Sequence, residues 1–198
     1  MKPLYNFLIK PKNNRYDNKK KIGDTELILN TDISDHKFIS REAIVYETPI
    51  ICNTTINRGD SVIVHHNIFR RWHDVHGVER NSKSFFKDDL FFCDESQIFL
   101  VKSKSGWKAN KGFCFVAPLE NKDNFSTEKE QSLIGIVKYT DDSNIVKLNE
   151  KVGFTPYSEY EFIINDQKLY RVMTKEISIK YGYKKEEREY NPSWLQSG

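Results

Sequence analysis

Apolar residues fall in short runs divided by polar turns along this chain, and few stretches keep an apolar period near 3.6 for more than two turns. Residues 4–9, Ala43-Ile44-Val45-Tyr46 and Ser61-Val62-Ile63-Val64 read as strands. Asn57-Arg58-Gly59-Asp60 ahead of the last run reads as a turn, because glycine supplies unusual dihedrals and aspartate bonds to nearby amides. Its Arg-Gly-Asp spelling is read as coincidence rather than as an adhesion motif. The first half closes with Leu90-Phe91-Phe92-Cys93 and Ile98-Phe99-Leu100-Val101, two apolar strands flanking the polar turn Asp94-Glu95-Ser96-Gln97.

The second half repeats this grammar. Phe113-Cys114-Phe115-Val116-Ala117-Pro118 answers Phe7-Leu8-Ile9-Lys10-Pro11, and Ile134 to Tyr139 answers Glu42 to Tyr46. Lys151-Val152-Gly153-Phe154 is matched to Asn57-Arg58-Gly59-Asp60, and Tyr170 to Ile179 stands where Phe91 to Leu100 stood. Four landmarks in one order predict an all-β chain of two tandem domains with diverged loops. The expected division is residues 1–103, residues 104–183 and a polar tail of residues 184–198.

Composition adds little direction. With 198 residues, a net charge of +3 and 30% charged residues, the chain is expected to be soluble, with charge too evenly spread to predict nucleic acid. Cys52, Cys93 and Cys114 have no Cys-x-x-Cys spacing, which points to reduced thiols and a cytoplasmic location. No run approaches the roughly 20 apolar residues of a membrane span, and no leader is read at the start.

The stretch that breaks the pattern is residues 12–41, a long segment rich in Lys, Asn, Asp and Ser that holds one isolated apolar triplet, Leu27-Ile28-Leu29. Loops of this length are seldom scaffolding. The triplet has two readings: a strand or hairpin edge folding back on its own domain, or bait for a partner's groove.

In their order, these motifs resemble the small-ring co-chaperonins of GroES type. The likeness lies in the Pro-Leu-x-x-x-x-Leu-Ile start at Pro3, the long loop with its triplet, Ala43-Ile44-Val45, Gly59-Asp60-Ser61-Val62-Ile63-Val64 and Asp94-Glu95-Ser96-Gln97-Ile98. It covers the first half well and the second less well. It implies two irregular GroES-like β-barrels and a long mobile loop whose Leu27, Ile28 and Leu29 bind a GroEL-type chaperonin in an ATP-dependent complex. It also implies that the chain caps the folding chamber over an unfolded client, with no enzymatic activity, no cofactor and no nucleotide site. A homo-oligomeric ring is expected, since residues 4–9 and 98–101 pair between neighbours in this family and would otherwise be exposed edges. Residues 113–116 could mimic one such junction by pairing with residues 98–101. A bacteriophage origin, and hence the host cytoplasm, follows by resemblance only.

Three departures from the family pattern bear on function. The segment of residues 49–57 is short where a roof hairpin is expected, which would leave the cap open. The counterpart of the long loop, residues 120–132, has Phe125 as its one apolar residue, so no docking role is carried onto it and the second domain becomes a wall, spacer or client-facing element. The third departure is a His-rich insertion, residues 65–80. Its His73-Asp74-Val75-His76 has a ligand-like spacing but no completing Cys or Glu, so a solvated Arg-rich hairpin is expected and no metal site. Its Phe69-Arg70-Arg71-Trp72 gives the alternative function, a small β-barrel that stacks and neutralises single-stranded nucleic acid.

Overall fold

The computed structural model describes every residue except 17–18, 23–24, 29–37, 105, 124–125, 183–186 and 196–198. The described chain is all-β, with strands joined by turns and single 3₁₀ turns. It divides into two compact units, Met1–Gly106 and Trp107–Gly198.

The first unit contains β1 (Phe7–Pro11), β2 (Lys19–Ile22), β3 (Thr25–Ile28), β4 (Glu42–Glu47), β5 (Ser61–Val64), β6 (Arg71–His73), β7 (Glu79–Asn81), β8 (Phe85–Lys87), β9 (Leu90–Cys93) and β10 (Ile98–Ser103). Its main sheet runs β10-β5-β4-β1-β9-β8, with antiparallel neighbours throughout. The pairs β2/β3 and β6/β7 are separate two-stranded sheets. After β11 (Gly106–Ala109), the second unit contains β12 (Phe113–Glu120), β13 (Glu130–Thr140), β14 (Lys151–Phe154), β15 (Tyr160–Ile164), β16 (Gln167–Met173) and β17 (Ile177–Gly182). Its sheet runs β17-β14-β13-β12-β16-β15, again antiparallel throughout, which is the order of the first unit strand for strand.

The likeness reaches individual hydrogen bonds. In the first unit Gly59 N donates to Val45 O (2.8 Å), Val45 N to Asp60 O (2.9 Å) and Asp60 N to Asn57 O (3.1 Å), while the Asp60 carboxylate accepts from Asn57 N (2.8 Å). In the second, Asn149 N donates to Val137 O (2.8 Å), Val137 N to Glu150 O (3.0 Å) and Glu150 N to Lys147 O (3.2 Å), and the Glu150 carboxylate accepts from Lys147 N (2.9 Å). Gly59 (φ +91°) therefore corresponds to Asn149 (φ +63°), and not to Gly153, which lies within β14. This corrects the sequence match, which followed residue identity; what the position requires is a positive φ, and Asn tolerates that almost as Gly does. Gly59→Asn is therefore expected to cost under ~0.5 kcal/mol and Gly59→Val about 1–2 kcal/mol in urea melts; equal losses would mean that the two turns are not equivalent.

With this register, each buried residue of the second core has a counterpart in the first. Cys114, Val116, Val137, Val146, Val152, Phe154 and Val172 stand where Phe7, Ile9, Val45, Ile56, Val62, Val64 and Cys93 stand. The first core is larger, because Tyr16, Ile39, Ile68 and Phe69 are added to it. Phe69 meets Phe91 edge to face at 4.9 Å.

Three other expectations change, and the segment of residues 49–57 is located. Phe7, Leu8 and Ile9 are no exposed edge, since β1 is bonded to β4 on one side and β9 on the other. Nor is an edge of β12 free at Phe113 to Val116, where β13 and β16 flank it. The segment after Pro49 lies along the chain start, with Ile50 N donating to Pro3 O (3.0 Å) and Ile51 N to Leu4 O (3.1 Å). The tail is part of the second unit: Tyr190 N donates to Pro118 O (2.8 Å), and Glu120 N to Arg188 O (2.9 Å).

Candidate functional site

The long segment leaves the first unit through a root bonded on both of its strands. Lys12 N donates to Glu42 O (3.1 Å) and Ser40 N to Arg15 O (3.1 Å), and Tyr16 forms an antiparallel bridge with Ile39. Both Tyr16 and Ile39 are buried in the core, so the root is fixed by apolar packing as well as by backbone bonds.

Arg15 locks this root to the insertion. Its Nε donates to Phe69 O (2.5 Å), Nη2 to Arg70 O (3.0 Å) and Nη1 to Asn81 Oδ1 (2.6 Å), and its guanidinium lies over the Phe91 ring at 4.9 Å. Burial lowers the Arg15 pKa from its ordinary high value, and the guanidinium remains charged. Tyr16 completes the clamp: its hydroxyl oxygen accepts from Arg71 N (2.7 Å), and the Arg71 guanidinium stacks over its ring at 4.7 Å.

Beyond the root, β2 and β3 form a hairpin with Lys19 opposite Ile28, Lys20 opposite Leu27, Lys21 opposite Glu26 and Ile22 opposite Thr25. Leu27 and Ile28 thus lie in a hairpin strand within the segment read as a long loop, where a strand or hairpin edge was one of the two readings of the triplet; Leu29 lies outside the described residues. The signal for this hairpin was present, because Gly23-Asp24 as a two-residue link between paired segments is hairpin chemistry. It was masked by three successive lysines, which have low strand preference. The counterpart in the second unit closes early, where Glu120 pairs with Glu130 and Asn121 N donates to Lys129 O (2.8 Å). Phe125 lies outside the described residues.

No protein-family model matches the chain. No curated protein matches it either.

The insertion is less solvated than its sequence suggests. Ile68 and Phe69 are fully buried, while β6 and β7 form the exposed hairpin. Asp74 holds the tip, accepting from His76 N (3.0 Å), Val78 N (2.9 Å) and Arg80 Nε (2.9 Å), and the backbone bond from Val78 leads the effects that keep its pKa low. Arg71 pairs with Glu79 at 3.0 Å. The carboxylate between His73 and His76 and two of the arginines thus serve the hairpin itself. Among the described residues no group of three or more His, Cys, Asp or Glu could hold a metal ion, and no helix is long and apolar enough to cross a membrane. Burial raises the Cys93 thiol well above its usual range and pushes Cys114 up to about 12, so neither is a ready nucleophile.

Proposed function

We propose that this chain is a co-chaperonin of GroES type, built from a duplicated barrel domain, which docks on a GroEL-type chaperonin through Leu27, Ile28 and Leu29 and caps the chamber over a folding client. The observation that carries this reading is the arm: a hairpin separate from the main sheet, with its root buried in a core and the triplet beginning in its second strand. The shared strand order of the two units supports duplication. One arm per chain, an assembled ring and the cytoplasm of a host cell belong to the same proposal, as does the absence of any reaction of its own.

The hairpin changes the energetics of docking. Burying an aliphatic side chain yields roughly 1.5–3 kcal/mol, and fixing a residue's backbone costs about 1–2 kcal/mol. Pairing of β3 with β2 meets part of that ordering cost before contact is made. Arms held on one assembly then gain effective concentration for each later contact.

Leu27→Ser, Ile28→Ser and Leu29→Ser together are expected to abolish retention on an immobilised large chaperonin ring with ATP, with the melting temperature unchanged. Loss of folding would make the triplet part of the core. A folded triple variant that is still retained would refute docking through this arm.

A further inference from the structure

The second unit contains a cavity of about 390 Å3 that the docking reading leaves without a task. It opens where β13 leaves register with β12: Pro118 faces Gly135, whereas Glu120 faces Glu130, so residues 131–134 bulge around Leu119. Leu133 takes φ +58° in that bulge and lines the cavity. Phe154, Tyr170 and Tyr190 supply aromatic wall, Glu128, Glu130 and Glu159 supply carboxylates, and Lys129 supplies one ammonium.

Glu130 and Glu159 are not alike. Glu130 is fully engaged, accepting from Lys168 Nζ (2.6 Å) and from the Tyr170 hydroxyl (2.7 Å), and Lys168 also reaches Glu161 at 3.1 Å. Burial, with Glu130 beside it, pushes the Tyr170 phenol up to about 12, so it stays a proton donor to Glu130. Burial disfavours the charged form of Lys168, but its bonds to Glu130, Tyr170 and Glu161 outweigh this and raise its pKa, so Lys168 stays an ammonium committed to that network. Glu159 has no share in it: its Oε2 is buried with no hydrogen-bond partner. A buried carboxylate oxygen without a hydrogen-bond donor is costly, and a cationic donor entering the cavity would remove that cost.

We infer that this cavity binds an alkylguanidinium, the arginine side chain of a partner protein. Three features converge on that chemistry. The site holds a carboxylate oxygen that is buried without a donor, three aromatic side chains line it, and a guanidinium is the weakly hydrated cation that stacks on such faces while donating in a plane to a carboxylate. The space is of the size that takes a single extended side chain with room for water. The inference stands on the second unit alone and is independent of the arm.

The test is an NMR titration of the full chain with capped arginine amide, capped norleucine amide as the neutral isostere, and agmatine as a free guanidinium metabolite. Saturable shifts at the Leu133 and Tyr170 amides are expected with capped arginine and not with norleucine. Glu159→Gln should weaken that binding at least tenfold with the rest of the spectrum unchanged. If that variant does not fold, Tyr190→Leu, which removes one aromatic wall, should weaken binding in the same way. No saturable shift with arginine, equal binding of norleucine, or undiminished binding by the folded variants would overturn the site. Binding of agmatine without capped arginine would overturn the partner side chain as its ligand.

Discussion

Arg15→Ala is expected to lower the stability of the first unit by about 3 kcal/mol, since charge-assisted bonds contribute roughly 1.5–3 kcal/mol each and a stranded acceptor costs more. The guanidinium bonds two carbonyls of the insertion, Phe69 O and Arg70 O, and the Asn81 side chain, so its loss uncouples the arm root from β6 and β7 together. For a unit of this size that corresponds to a Tm lower by roughly 12 °C or more. Arg15→Lys should recover little of it, because an ammonium cannot span three acceptors in one plane. Hydrogen exchange localises the effect: the Ser40 and Arg71 amides, bonded to Arg15 O and to the Tyr16 hydroxyl, should exchange faster, while amides of the second unit do not change. An unchanged Tm would mean that the clamp is ornamental and that apolar burial of Tyr16 and Ile39 alone fixes the root.

Glu187→Ala should be of similar size in the second unit. Its carboxylate pairs with Lys151 Nζ at 2.7 Å, with side chains only 14% and 11% exposed, and Lys151 also lies over the Tyr181 ring at 5.2 Å. Removing one partner leaves an ammonium without a counter-charge in a dry site, a loss of about 3–5 kcal/mol. Replacing both, as Lys151→Met with Glu187→Leu, should return most of it, since a well-packed apolar pair avoids the desolvation of both ions. Calorimetry of the two variants decides the matter. A single variant as stable as the parent would show that the pair contributes nothing and that the tail is held by its backbone bonds and its Glu189–Lys138 pair instead.

The strand content of the chain was legible because its apolar runs are short and bounded by turn residues, as at Ser61–Val64 and Leu90–Cys93. The order of strands was not. Residues 4–9 look like an edge only when read from the end of the chain; in the fold Phe7, Leu8 and Ile9 are enclosed by partners from distant positions. The tail was misread for a related reason. Its charges look solvated locally, but Glu187 and Glu189 meet Lys151 and Lys138, and spacing along the chain carries no trace of such pairs. The cavity escaped notice because a bulge is a failure of register, and register belongs to two strands at once.

Tyr16 and Ile39 stand opposite each other as an antiparallel pair. Two residues so placed can be joined by a tight turn such as Asn-Gly. The fold therefore contains a natural seam at this buried pair, and cutting one step inward of it would open the core. Under the docking proposal the arm is thus exchangeable at this seam as a cassette, so that a new receptor would require no new scaffold.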